Sequence, residues 1–159
     1  MPSRGQAVLF RDLTIQPTLA TLALPGAAWA ELLLGTAIQE SRLMWRRQWH
    51  GGPARGLFQM EPDTHDDIWS NYLKYHHALA AQVASLMSSA NAEKHKELEA
   101  NDKYACAMAC VHFSRKGHGA LPRSGDVSGM AKYWKKHYNT LLGAGTVEEY
   151  ESNWQKVMG

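Results

Sequence analysis

Residues 32–40 read Leu-Leu-Leu-Gly-Thr-Ala-Ile-Gln-Glu. A stretch this poor in polar groups, continued on both sides by helix formers, packs as a helix covered on nearly every face. The spacing predicts that helix over Ala27 to Leu43, with Glu40 in its last turn. Most of the helix has to be buried, so Glu40 is carried to the core's edge with it. Two effects then act on its carboxyl. The carbonyl end of a helix is negative, and the residues one turn back, Thr36 and Ala37, are small or apolar. Both disfavour the carboxylate and raise its pKa, as a general acid working near neutral pH requires. The plain alternative is a surface glutamate paired with Arg42 or Arg46.

Beyond this helix the periodicity stops. From Met44 to Glu61 no helical pattern survives, and Gly51, Gly52 and Pro53 call for a loop. Leu57 to Met60 fits one short strand of a small hairpin, and a turn at Gly56-Leu57-Phe58-Gln59 can fold back over Glu40. The Gln59 amide offers donors and an acceptor suited to sugar hydroxyls or an N-acetyl group. Leu57 is assigned to hairpin packing, and Phe58 and Met60 either join it or face a ligand. Trp45 and Trp49 are either buried or stack on sugar rings. Between Ser41 and Met60 stand Arg42, Arg46, Arg47 and Arg55 with no acid among them. Such a segment is either a solvated basic loop or the seat of an anionic partner.

The remaining pattern is helical. Residues 1–8 are expected to fray. Leu9 to Ile15 makes a short helix ended by Pro17, and Thr18 to Leu24 a second, stopped by Pro25–Gly26. Pro62 and Asp63 start a helix for which Asp63 or Thr64 is the cap. Ala78 to Met87 is the next helix, then a short charged one over Ala92 to Leu98, expected to be solvated. Asn101 caps a helix from Asp102 to about Lys116. Gly117 to Ser124 is a loop, Val127 to Tyr138 is helical, and Asn139 to Gly145 turns. Thr146-Val147-Glu148-Glu149 fits a capping box for the last helix. The fold class is mainly α, a single domain over 1–159 with at most one small β-hairpin.

Composition narrows the function. Net charge is only +2 over 159 residues, too little for a nucleic-acid footprint. No apolar run reaches the roughly 18 residues of a membrane span, so no stable membrane insertion is expected. Residues 19–30 imitate a signal peptide ending Ala28-Trp29-Ala30, but Pro25–Gly26 interrupts them. Cleavage there would also cut the helix that carries Glu40. Cys106 and Cys110 lie four apart on a helix and read as reduced core thiols, because that spacing strains a disulfide. Neither a Cys-x-x-Cys nor a matching His pair completes a metal site with them.

Glu40–Ser41, a loop containing glycine and alanine, Gly56-Leu57-Phe58-Gln59 and Pro62 together resemble the signature of soluble lytic transglycosylases. Those enzymes share a lysozyme-like α fold with goose-type lysozymes. The likeness covers about 30 residues, and Phe58 stands where the family has methionine. It implies that Glu40 is the sole catalytic acid and base, and that Ser41, Phe58, Gln59 and Met60 serve the substrate. Residues 131–146 are also similar to phage and prophage proteins with this domain, with no role attached. The family often closes its cleft with an Ala-Tyr-Asn-Ala-Gly segment. The nearest counterpart is Val111-His112-Phe113-Ser114-Arg115, where Phe113 lacks the hydroxyl. His112 or Arg115 is then expected to supply the missing polar contact, unless His112 is a satisfied core histidine.

The resemblance implies cleavage of the β-1,4 bond between N-acetylmuramic acid and N-acetylglucosamine in peptidoglycan. Glu40 protonates the leaving oxygen and then draws the proton from the muramyl C6 hydroxyl, giving a 1,6-anhydro product. No cofactor and no metal is expected. The partners are peptidoglycan glycan strands, with the arginines meeting stem-peptide carboxylates, and the chain acts as a monomer. It would be a phage endolysin made in the cytoplasm and released to the cell wall. A hydrolytic muramidase needs a second carboxylate, roughly 6.5–9.5 Å from the acid if it inverts. Glu61 and Asp63 are the candidates, and Asp63 is better explained as a helix cap. A glycan-binding wall or virion protein without activity is the alternative outside enzymes.

Overall fold

The structure is a computed structural model that describes residues 1–117, 120–140 and 142–159. Parts of the expected loops at 117–124 and 139–145 therefore lie outside the described residues. The elements run α1 (Arg4–Phe10), a π-helical turn (Arg11–Ile15), α2 (Gln16–Thr21), α3 (Ala27–Ser41), α4 (Pro62–Asn71), α5 (His77–Ser85), α6 (Lys94–Ala100), α7 (Asp102–Gly117), α8 (Val127–Trp134), a second π-helical turn (Lys135–Asn139) and α9 (Val147–Met158). Short 3₁₀ turns sit at Trp49–Gly51 and Leu73–Tyr75. The fold is mainly α.

Two buried helices organise the packing. Every residue of α3 from Leu32 to Ile38 is buried, and so is every residue of α7 from Tyr104 to Phe113. Each large apolar side chain removed from water in this way contributes about 1.5–3 kcal/mol. One hydrophobic core runs from Ala7 in α1 to Val157 in α9. α8 and α9 pack against α3, while α2, α6 and the second π turn pack against α7. Gly35 lets α9 approach α3 closely: a Cβ there would fall 2.0 Å from the Tyr150 hydroxyl oxygen. Cys106 and Cys110 are buried free thiols, raised in pKa by burial.

The expected helix over 27–43 stops at Ser41. Arg42 and Leu43 both take left-handed backbone (φ 55° and 54°), and the Arg42 N–H closes the end on the Ile38 carbonyl at 3.0 Å. Glu40 remains in the last turn. At the other end α3 starts directly after Gly26, so Ala28, Trp29 and Ala30 form its opening turn and Ala30 is buried.

Several expectations are corrected. Residues 4–8 are helical, because Ser3 and Gln6 form a capping box that satisfies the free N–H groups of α1. Pro17 does not end the helix before it. The π turn ahead of it widens by one residue, with the Gln16 N–H bonding the Arg11 carbonyl, and the chain continues helically to Thr21. α6 is not simply solvated: Leu98 is fully buried, and Glu97 accepts hydrogen bonds from the Ser88 N–H and hydroxyl. α4 has Glu61, not Asp63 or Thr64, at the cap position, and Glu61 makes no side-chain capping bond. The small hairpin shrinks to isolated antiparallel bridges, Arg47 with Arg55 and Arg55 with Met60. Asn101 and Thr146 cap α7 and α9 as their sequences predict.

Candidate active site

Glu40 emerges from the end of α3 onto a cleft of about 600 Å³. The cleft wall is assembled from four places. α3 contributes Gln39 and Glu40; the loop after it contributes Gln48, Ala54, Gln59 and Met60. Glu61 and Thr64 come from the start of α4, and His112 from α7. The far wall is built by the end of α8 and the chain just beyond it: Trp134, Tyr138, Asn139, Thr140 and residues 142–145.

The Glu40 carboxyl is half-buried and its pKa is raised to about 7. Burial is the dominant cause. The Trp134 indole N–H, donating to Oε1 at 2.9 Å, and the positive charge of Lys135 oppose it without cancelling it. A group with that pKa is about half protonated at pH 7. Trp134 occupies Oε1 as a donor, so the proton of the neutral acid belongs on Oε2. A carboxyl so placed can donate a proton near neutral pH and can accept one once it has given its own.

The loop from Arg46 to Met60 is folded tightly. The Gly56 N–H bonds the Arg46 carbonyl at 2.7 Å, and Arg55 and Met60 exchange backbone bonds of 3.0 and 3.2 Å. Gly56 has φ 76°, and a Cβ on it would meet the Leu98 carbonyl oxygen at 1.9 Å. Only glycine fits that turn. Gln59 also takes left-handed backbone (φ 49°), and its side-chain nitrogen donates to the Gly56 carbonyl at 2.9 Å. The same amide that faces the cleft therefore helps to hold the turn.

The sequence-derived candidates separate on this geometry. Glu40, Gln59, Met60, Glu61 and His112 share the cleft. Ser41 does not line it: it is buried, and its hydroxyl donates to the Ala37 carbonyl at 3.0 Å. The Phe58 side chain is core, packed near Phe10, and only its carbonyl engages a cleft residue, accepting from the Tyr138 hydroxyl at 2.7 Å. Arg115 is turned away and pairs with Asp67 at 2.6 Å. Asp63 lies within the first turn of α4 and is not part of the lining.

The basic segment is also largely committed. Arg46 forms a two-pronged pair with Asp102 at 2.7 and 3.0 Å, Arg47 reaches Glu99 at 2.9 Å, and Arg55 donates to the Gly52 and Ala54 carbonyls. The acids come from α6 and α7, some 50 residues on. Trp45 and Trp49 are not buried. Their rings meet edge to face at 4.4 Å and stay largely exposed beside the cleft loop.

His112 is buried against the cleft, and its Nδ1 has no hydrogen-bond partner among the described residues. Burial, aided by Lys116 and Arg115, pushes its pKa down to about 4, so the ring is neutral. Phe113 next to it is core, stacked on Tyr138 at 5.0 Å. The tyrosine facing the cleft is therefore Tyr138, with Asn139 next in the chain, from the segment to which the sequence attached no role. Lys135 anchors that segment with bonds to Asn139 Oδ1 (2.6 Å) and the carbonyls of Gly143 (2.9 Å) and Gly145 (2.6 Å). The Tyr138-Asn139 pair was the signal available in the sequence. No family model matches the chain, and no curated protein or solved structure matches it.

Proposed function

We propose that this protein is a peptidoglycan-cleaving glycosidase of the lytic transglycosylase type, with Glu40 as its acid and base. One observation carries the proposal. A carboxyl whose pKa is raised to about 7 stands in a polar cleft, held on one oxygen by an indole N–H, with a neutral histidine in the same wall whose Nδ1 has no hydrogen-bond partner among the described residues. The resemblance of Glu40–Ser41 and Gly56–Gln59 to that enzyme class supplies the bond: β-1,4, between N-acetylmuramic acid and N-acetylglucosamine.

In this mechanism neutral Glu40 protonates the glycosidic oxygen as the bond to C1 breaks. The resulting carboxylate takes the proton of the C6 hydroxyl while that oxygen closes on C1. Gln59 and His112 hold the sugar, and Tyr138 and Asn139 form the opposite wall. Trp134 steadies the carboxylate between the two proton transfers. A phage or prophage origin, which the likeness of residues 131–146 supports, would make the chain an endolysin that reaches the wall after release from the cell that made it.

A hydrolytic muramidase is the second candidate, because Glu61 lines the same cleft. Glu61 is exposed at the α4 cap position, not sequestered, which favours the single-carboxylate route. Mass spectrometry of products from purified peptidoglycan tests both. A 1,6-anhydro end is expected; reducing ends would assign the hydrolytic route, and no products would refute the enzyme.

A further inference from the structure

His65 and Asp66 sit side by side on α4, and His95 stands opposite on α6. Among the described residues they form the group of three whose potential ligand atoms all lie within 4.8 Å of one another. Asp66 Oδ1 is 2.9 Å from His65 Nδ1 and 2.7 Å from His95 Nε2. The two imidazole rings are nearly perpendicular, 81° apart at 5.3 Å. None of the three lines the cleft that holds Glu40.

We infer that His65 Nδ1, Asp66 Oδ1 and His95 Nε2 form a three-ligand site for a divalent transition cation of the Zn²⁺ class, clamping α4 to α6. Two imidazole nitrogens and one carboxylate oxygen are the donor set such an ion prefers. Ligand atoms about 2.0–2.1 Å from one zinc are about 3.3 Å apart in a tetrahedron. The two gaps to Asp66 Oδ1, 2.9 and 2.7 Å, are about half an ångström shorter than that, and the two histidine nitrogens lie within 4.8 Å of each other.

The surroundings suit a ligand set. His65 is fully buried, and its other nitrogen, Nε2, is 2.7 Å from the Tyr104 hydroxyl, which the Trp69 indole N–H holds at 2.9 Å. Such partners behind a ligating histidine fix its ring orientation. The Tyr104 hydroxyl can donate or accept, so His65 can carry its proton on Nε2 and leave Nδ1 for the metal. Asp66 is exposed and His95 partly so, giving the ion an entry and leaving its remaining position to water. The proposal does not depend on the activity of Glu40.

The full chain, dialysed against EDTA and then freed of it, is titrated with ZnCl₂ by calorimetry and by thermal melting. One equivalent is expected to bind. At about 100-fold excess over Kd the Tm should rise by about 5 °C or more. Asp66→Asn at an exposed position and His95→Gln at a partly exposed one should both fold, as circular dichroism verifies. Each should weaken binding at least about 10-fold, as expected when a ligand is lost. His77→Gln, at an exposed histidine outside the group, should bind as the parent does. Co²⁺ should give visible absorption bands that His95→Gln removes. No binding, binding left intact by either cluster variant, or equal loss in His77→Gln would overturn the site and leave Asp66 as a hydrogen-bond hub only.

Discussion

Glu40→Gln separates the energetic cost of the buried acid from its chemistry. The folded protein holds this carboxyl at a pKa of about 7, against an ordinary value of 4.5. Between those values the folded chain binds more protons at this site than the unfolded chain. Stability therefore falls as pH rises from 4.5 to about 7, and the cost stays constant above that. At about 1.4 kcal/mol per pH unit the ceiling is about 3.4 kcal/mol. The carboxyl keeps some contact with the open cleft, and water there lowers the expected figure to about 1–3 kcal/mol. Glutamine does not titrate, and its carbonyl oxygen still accepts the Trp134 N–H, so the variant escapes the cost. It should match the parent below about pH 4.5 and exceed it above about pH 7, by about 3–10 °C in Tm for a chain of this size. Denaturant unfolding at a series of pH values measures the difference directly, because all other titrating groups cancel. A difference that stays flat from about pH 4 to about pH 8 would refute the buried-acid argument. The same variant should lose lytic turnover by about 10²–10⁴-fold, and full activity would remove Glu40 as the acid.

The other predictions use the neighbours of Glu40. Trp134→Phe removes the bond that opposes the raised pKa, so the alkaline limb of the pH–rate profile should move up by about 1–2 pH units, the worth of a charged hydrogen bond; an unmoved limb would uncouple the limb from Glu40. His112→Leu deletes an unsatisfied buried nitrogen and should change stability by less than about 1 kcal/mol while lowering turnover about 10-fold; unchanged initial rates would assign His112 to the core. Gln59→Ala should cost about 1 kcal/mol through the Gly56 bond and lower turnover about 10-fold or more, and a badly destabilised variant with normal turnover would make Gln59 structural. Glu61→Gln should keep at least about a tenth of the activity and the anhydro product; a dead variant, from a parent that yields only reducing ends, would establish hydrolysis with Glu61 as base.

Sequence by itself determined what acts within one or two helical turns. The apolar run from Leu32 to Ile38 demanded a buried helix, and Glu40 inherited its place at the end of it. Asn101 and the Thr146–Glu149 box marked their helix starts, because a cap bonds an N–H only two or three residues away. Gly56 announced a turn that no other residue can make. Where local signals misled, a neighbour in space had overruled them. Pro17 was absorbed by a π turn, and Arg46 and Arg47 of the 42–55 loop, unopposed in sequence, met Asp102 and Glu99. Only the tertiary structure decided what surrounds the carboxyl. Trp134 and Glu40 are 94 residues apart, and no periodicity links them. Tyr138 replaced Phe113 at the cleft because the π turn after α8 packs against α7, where Phe113 is already enclosed. Whether a buried glutamate becomes a usable acid depends on the balance of burial, one indole N–H and one nearby ammonium. The side chains that strike that balance are brought together by helix packing, an interaction set by whole faces and not by any short run of residues.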